Sequence, residues 1–315
     1  MASNHSEASA VSTGVRSLHW LAAGLLAVSG CAVAQGSPPA PPFCPQQWDS
    51  EKIGDWVPDA ADLDGASDRL VPGAPDLALI CAYPGRNTDP GGEKLDGWRT
   101  LNHQTTEAMA RDLAYLPIDT QNAERACTLM GGRMTNYLVR FTYPDGDTLW
   151  LGGAEEVNSC ATITNGTATS DVYLGDSLTA AYRTGDWRLP QPDDPCDGSL
   201  GRRGQDEQMV PEGVVGVLVC RLKPGEKPGS RSERGAREAA ELAAALNAPG
   251  TRPSTNGCQQ AGPVSDSFRL VFRYGEGPAA SVHVMPDCRP GVNNGLLQTE
   301  LDAPTRDQVA RLGPA

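Results

Sequence analysis

Two stretches decide the fold: Tyr137-Leu138-Val139-Arg140-Phe141-Thr142-Tyr143-Pro144-Asp145-Gly146-Asp147, and further along Phe268-Arg269-Leu270-Val271-Phe272-Arg273-Tyr274-Gly275-Glu276-Gly277. In each, large apolar residues recur at every second position. Tyr137, Val139, Phe141 and Tyr143 share one face of a strand, and so do Phe268, Leu270, Phe272 and Tyr274. Pro-Asp-Gly-Asp and Gly-Glu-Gly are hairpin-turn chemistry, so each strand turns sharply and returns. Aromatic residues at this period form a buried sheet face rather than a platform for stacking bases.

Working outward from the hairpins, the same signals recur in the same order. Val71-Pro72 precedes the apolar run Leu77-Ala78-Leu79-Ile80 and Cys81, and Val210-Pro211 precedes Val217-Leu218-Val219 and Cys220. Pro-Gly follows both cysteines (Pro84-Gly85 and Pro224-Gly225). Helical patterns come next, over Thr106 to Leu116 and over Arg231 to Leu246. Cys127 and Cys258 follow the helices, Cys160 and Cys288 follow the return strands, and Asn165-Gly166 and Asn294-Gly295 come after those. Short final helices are expected over Ser177 to Arg183 and Thr305 to Leu312. The expected fold is α+β: two tandem copies of a strand-helix-β-hairpin unit, each a small antiparallel sheet packed by a helix and stapled by disulfides. The expected divisions are a signal segment (1–30), a Pro-rich and acidic tether (31–65), unit 1 (66–183), a linker (184–204) and unit 2 (205–315).

The beginning of the chain supplies an address. Arg16 precedes an apolar stretch, Leu18 to Gly30, of signal-peptide length and too short for a stable span. Val28-Ser29-Gly30-Cys31 matches the bacterial lipobox, in which the Cys is diacylated and becomes the mature N-terminus. Ala32-Val33-Ala34 offers ordinary cleavage instead, and both outcomes export the chain. Export gives the cysteine count meaning. Of nine Cys, eight remain after Cys31, an even and widely spaced set that reads as four disulfides. No C-x-x-C pair occurs, and only His103 and His283 follow the signal segment, so no metal is expected. Cys127 and Cys160 flank their hairpin at its open end, and Cys258 and Cys288 flank theirs, which predicts those two bridges. Cys81 and Cys220 then take the nearest upstream cysteines, Cys44–Cys81 and Cys196–Cys220. A Cys44–Cys196 link joining the two units is the alternative.

The balance of 39 acidic against 26 basic residues, net charge −13 without a basic stripe, argues against nucleic acid as a partner. Only four of the basic residues are Lys, an Arg bias found in high-GC genomes. The order Val-Pro, strand-Cys, helix, Cys, aromatic hairpin, Cys, Asn-Gly over 66–183 and 205–315 resembles a module of uncharacterised exported proteins and lipoproteins of actinobacteria. That resemblance implies a fold and an address, and no catalytic residues.

Candidate chemistry is sparse. Gly175-Asp176-Ser177-Leu178 resembles the nucleophile block of GDSL-type esterases, with Ser177 as the alternative nucleophile. The Asp expected three residues before the downstream His283 is Ala280, and the Gly-x-Asn-Asp oxyanion block is missing. The structural reading is a helix cap by Asp176 or Ser177. Asp59, Asp62 and Asp64 lie in an acidic stretch without the ligand alternation of a calcium loop. Trp56 and Trp187 each follow Gly-Asp, and Asn165-Gly166-Thr167 matches a glycosylation sequon. No phosphate-binding glycine loop occurs and no cofactor is expected. Function is sought instead where the copies differ: Asn87 to His103 in the first, with Trp98 and Arg99 as a partner loop, and Lys223 to Arg237 in the second. The expected role is non-catalytic binding at the cell envelope, with a lipid anchor in the membrane and an envelope protein or cell-wall ligand as partner. A secreted hydrolase using Ser177 is the alternative.

Overall fold

The apolar run that contains Leu77-Ala78-Leu79-Ile80-Cys81 becomes strand β1 (Leu77–Arg86), and its lack of alternation has a simple cause: both of its faces are covered. The computed structural model describes residues 43–119, 127–223, 230–261 and 266–314. β1 pairs with β2 (Gly97–Thr100) on one side and β3 (Arg133–Thr142) on the other, and β4 (Thr148–Glu156), β5 (Ile163–Thr164) and β6 (Thr169–Ser170) complete an antiparallel sheet of order β2-β1-β3-β4-β5-β6. Pro84 lies past the stretch of β1 that β2 covers, where a missing N–H is tolerated. The inner face carries Ile80, Tyr137, Val139, Phe141 and Leu151. Helices α1 (His103–Ala114) and α2 (Gly175–Thr184) cover it with Met109, Leu113, Leu178 and Ala181. Each such large side chain, once fully buried, stabilises the fold by roughly 1.5–3 kcal/mol.

The second sheet is built from β7 (Val214–Leu222), β8 (Ser230–Gly235), β9 (Arg252–Pro253), β11 (Ser267–Tyr274), β12 (Ala280–Val284), β14 (Val292–Asn293) and β15 (Leu297–Thr299), in the order β8-β7-β11-β12-β14-β15-β9. A separate two-stranded ribbon joins β10 (Gln259–Gln260) to β13 (Cys288–Arg289). Helix α3 (Ala236–Asn247) packs Ala239, Leu242 and Leu246 on Val219, Leu270, Phe272 and Val282, and α4 (Ala303–Leu312) adds Val309. The disulfides are Cys44–Cys81, Cys127–Cys160, Cys196–Cys220 and Cys258–Cys288.

Several sequence-based boundaries move. The part of the 31–65 tether that is described, from Phe43 on, is not a spacer: Cys44 and Trp48 are buried against the outer face of the first sheet, and Ala61 joins the inner core. The expected linker 184–204 is folded in as well, with Trp187, Leu189, Cys196 and Arg202 buried. Disulfides to Cys81 and Cys220 hold both segments in place. The stretch Arg231 to Gly235, expected as helix, is edge strand β8, because its backbone pairs with β7 over Gly216 to Arg221. The first Asn87–His103 loop likewise contains edge strand β2. Trp56 and Trp187 do not correspond: Trp56 packs on the outer face and Trp187 in the inner core, where its indole N–H donates to Asp112 at 2.8 Å.

The shared Asn-Gly and Val-Pro signals meet in space. Asn165 Nδ2 donates to the carbonyls of Ala66, Arg69 and Leu70, and its Oδ1 accepts from the N–H groups of Thr167 and Ala168. Asn294 does the same with Gln205, Gln208 and Met209, and with Leu296 and Leu297. Tyr143 donates its hydroxyl to the Pro72 carbonyl at 2.7 Å, and Tyr274 to Pro211 at 2.9 Å. These side chains, Asn165 buried and the others half-buried, serve irregular backbone that has no ladder of its own to satisfy it. The sequon is therefore a fold element, since the Asn165 side chain is fully buried.

Arg202 packs between the two halves. The Arg202 guanidinium lies between the rings of Tyr115, just beyond α1, and Tyr274, at 4.1 and 3.8 Å. It donates to the carbonyls of Glu276 and Pro278 at 2.7 and 3.0 Å. Gly277 has a φ of +70°, and a side chain there would press into the Tyr115 ring.

Candidate functional site

Ser177 lies in the first turn of α2, but it does not cap the helix. The N-cap is Leu174, whose side chain has no hydrogen-bonding group, and the Ser177 hydroxyl donates to the Arg188 carbonyl at 2.6 Å. His283 lies in β12 of the second sheet, where Arg269 Nε donates to its Nε2 at 2.7 Å, while His103 Nδ1 faces the Asp76 carbonyl. The structure thus brings neither imidazole to Ser177. Gly175 is there for space: a Cβ would overlap the Ala154 carbonyl and the Tyr173 hydroxyl. Ser177→Ala should cost about 1 kcal/mol of stability, the worth of one neutral hydrogen bond. Urea unfolding measures it, and no change would mean that the bond to Arg188 is idle.

The expected partner pair separates. Trp98, on edge strand β2, is 63% exposed. Arg99 points to the other face and donates to the carbonyls of Tyr182 and Arg183 at the end of α2. It satisfies orphan carbonyls and places positive charge at the negative end of the helix dipole. In the second sheet, Ser232 and Arg234 of β8 do the same for Leu312 at the end of α4. Cys31 lies outside the described residues. Among the described residues, no group of three or more His, Cys, Asp or Glu side chains is placed to hold a metal, Asp59, Asp62 and Asp64 included. No helix among them is long and apolar enough to cross a membrane.

The outer faces of the sheets are where the halves part company. On the first, the row Thr100–Leu79–Arg140–Trp150 runs across the strands, and Trp48 and Trp56 pack on that face in one cluster with Tyr83 of β1. Trp48 is fully buried, with its ring centroid 5.1 Å from that of Trp56. On the second, the matching row is Glu233–Leu218–Val271–Ser281. The buried cluster there is only Cys196, Leu218, Cys220 and Val271. A cavity of about 390 Å³ remains, with Leu218 and Val271 as floor and prolines 190, 192, 195 and 278 in its walls. Arg231, Glu233 and Arg273 stand at its rim, where Arg273 pairs with Glu233 at 3.1 Å. Arg231 pairs with Asp194 at 3.5 Å. The Asp194 side chain also accepts from the Cys196 N–H, and with the Cys196–Cys220 bridge this holds the proline wall rigid. Sequence reading missed this site because its walls come from segments far apart in the chain, 190–200, 218, 231–233 and 271–279, which only the fold brings together.

Beside the cavity row, Cys220, Arg269 and His283 form the next row. Burial first, then the Arg269 guanidinium, hold the His283 imidazole below its ordinary value. The unfolded chain titrates near pH 6.5, so below that pH the unfolded state binds the extra proton and stability falls as pH drops. The loss should not exceed about 1.4 kcal/mol per pH unit. Urea midpoints of wild type and His283→Gln, compared at two pH values either side of 6.5, measure it: the wild type should lose more, and parallel losses would remove His283 as the cause.

No protein-family model, curated protein or solved structure matches the chain.

Proposed function

We propose that this chain is an exported protein of a bacterial cell envelope, anchored by lipid at Cys31, whose role is to bind rather than to catalyse. The observation that carries the reading is the set of four disulfides spread through the folded body, since such bridges persist in oxidising compartments outside the cytoplasm. Val28-Ser29-Gly30-Cys31 supports the lipid, and the Arg-rich composition fits an actinobacterial source. We further propose that the body arose by tandem duplication of one disulfide-stapled unit. The paired strand orders, the Asn165 and Asn294 hubs and the two Tyr-to-Pro hydrogen bonds support it. Binding is favoured because the halves differ at an open, pre-formed cavity. The Ser177 hydroxyl is meanwhile committed to a backbone carbonyl.

Expressed in a bacterium that processes lipoproteins, the full chain should incorporate labelled palmitate and sediment with membranes. Cys31→Ala should abolish the label. An unlabelled wild type whose N-terminus is Gln35 would overturn the anchor. A fluorophosphonate probe that labels wild type but not Ser177→Ala would overturn the non-catalytic role.

A further inference from the structure

We infer that the outer edge of strand β8 is an interface at which a second copy of this chain adds its own β8, antiparallel, about a two-fold axis at Ser232. The inference goes beyond the envelope reading and does not depend on it.

The sheet edges differ in how far they can template another strand. β6 and β9 are two residues each, and β9 carries Pro253. β2 spans four residues, whereas β8 spans six, Ser230-Arg231-Ser232-Glu233-Arg234-Gly235. β8 pairs with β7 along its whole length on one side, and among the described residues no backbone hydrogen bond leaves its other side. A row of unpaired N–H and C=O groups of that length accepts another strand unless its side chains forbid it.

The side chains select one register. Arg231 and Glu233 are exposed on the outer face, in the rows of Cys220 and Leu218. Ser232 and Arg234 lie on the inner face, where both donate to the Leu312 carbonyl at the end of α4. When two sheets join antiparallel with their helix-covered faces on the same side, residues opposite each other share a face. Centred on Ser232, this pairing sets Arg231 opposite Glu233 of the second copy, and Glu233 opposite its Arg231. Centred one residue earlier, Arg231 meets Arg231, and one residue later Glu233 meets Glu233. Opposite charges across a strand pair stabilise it, and like charges directly opposite destabilise it.

Pairs within each chain do not have to break. Arg231 pairs with Asp194 at 3.5 Å, and Glu233 with Arg273 at 3.1 Å. The new contacts extend these into an alternating row, Asp194–Arg231–Glu233–Arg273, that crosses the axis from one copy to the other. Elsewhere a net charge of −13 on each chain repels a second copy, so approach is favourable only where both signs interleave. The axis is normal to the sheet, so both copies present their Leu218–Val271 cavities on the same face of the dimer. A strand of six residues makes a small interface, at the weak end of specific ones, and sets the expected affinity in the micromolar range.

Sedimentation velocity of the full chain tests the interface, with Cys31→Ala in every sample so that lipid does not drive association. This parent should dimerise in the micromolar range. Arg231→Glu sets two carboxylates opposite each other across the axis, and Glu233→Arg sets two guanidiniums opposite each other. Each alone should weaken self-association about tenfold or more. An equimolar mixture of the two variants should dimerise again, because each edge carries the charge that the other lacks. Both changes in one chain should restore self-association for the same reason. The altered side chains are exposed, and melting temperatures close to the parent's confirm the fold. A parent that stays monomeric at submillimolar concentration, single variants that associate as the parent does, or no recovery on mixing would each overturn the interface. Association removed by Trp98→Ala and untouched by Arg231→Glu would also overturn it, moving the contact to β2. None of these outcomes touches the envelope reading, which falls only with the palmitate and fluorophosphonate experiments.

Discussion

Asn165→Asp should lower the unfolding free energy by about 4 kcal/mol, because it buries an unpaired charge in a site built for an amide. The wild-type Nδ2 donates to three carbonyls, of Ala66 at 2.9, Arg69 at 3.1 and Leu70 at 3.2 Å. Aspartate keeps the acceptors for Thr167 and Ala168 but turns a carboxylate oxygen on those three carbonyls. Asn165→Ala only deletes hydrogen bonds and should cost less, about 2–3 kcal/mol. Asn294→Asp makes the same change where the side chain is half-buried, so it should cost less than its counterpart. The gap between Asn165→Asp and wild type should narrow in acid, as the new carboxyl takes up a proton and donates again. Urea unfolding at pH 7 and pH 4 measures all of this. An Asn165→Asp variant within 1 kcal/mol of wild type, about the worth of one hydrogen bond, would remove the hub from the account.

Arg202→Leu should cost about 3–4 kcal/mol and uncouple the two halves. The guanidinium is buried between two tyrosine rings, where a desolvated cation–π contact is worth about 2 kcal/mol, and it donates to the Glu276 carbonyl and to the buried Pro278 carbonyl. The exposed Arg111–Glu276 pair beside it, at 3.8 Å, adds little. Arg202→Lys should rescue only part of the loss, since a point charge neither stacks on both rings nor reaches both carbonyls. Scanning calorimetry should show the wild-type transition broaden or split in Arg202→Leu. A single sharp transition at the wild-type temperature would mean that Arg202 does not couple the halves.

Much of the α+β fold was legible. The alternation in β3 and β11 survives translation because one face of each strand meets a helix, and Asp-Gly and Gly-Glu-Gly turn where they should. The even count of eight cysteines announced disulfides. Less legible were β2 and β8, short and largely polar strands whose only reason to be extended is a neighbour reached through long-range pairing. Arg99 looked like a recognition residue because sequence shows its charge but not the α2 carbonyls that absorb it. The cavity left no positive mark at all.

By itself, then, the sequence determined the elements whose signal is local: period-two strands, glycine turns and Ala-rich helix α3. It also carried the pattern of oxidisable cysteines. Tertiary structure decided what depends on distant partners. Phe43 onward became a folded cover because Trp48 found an apolar sheet face and Cys44 found Cys81. Asn165 became a hub because loop carbonyls some ninety-five positions upstream needed donors. Arg202 became a joint because two tyrosines from different halves converged on it. The cavity on the second sheet exists because the segment that the Cys196–Cys220 bridge holds against the outer face meets Leu218 and Val271 without filling the space above them. A void is a property of how side chains pack together, and no single residue encodes it.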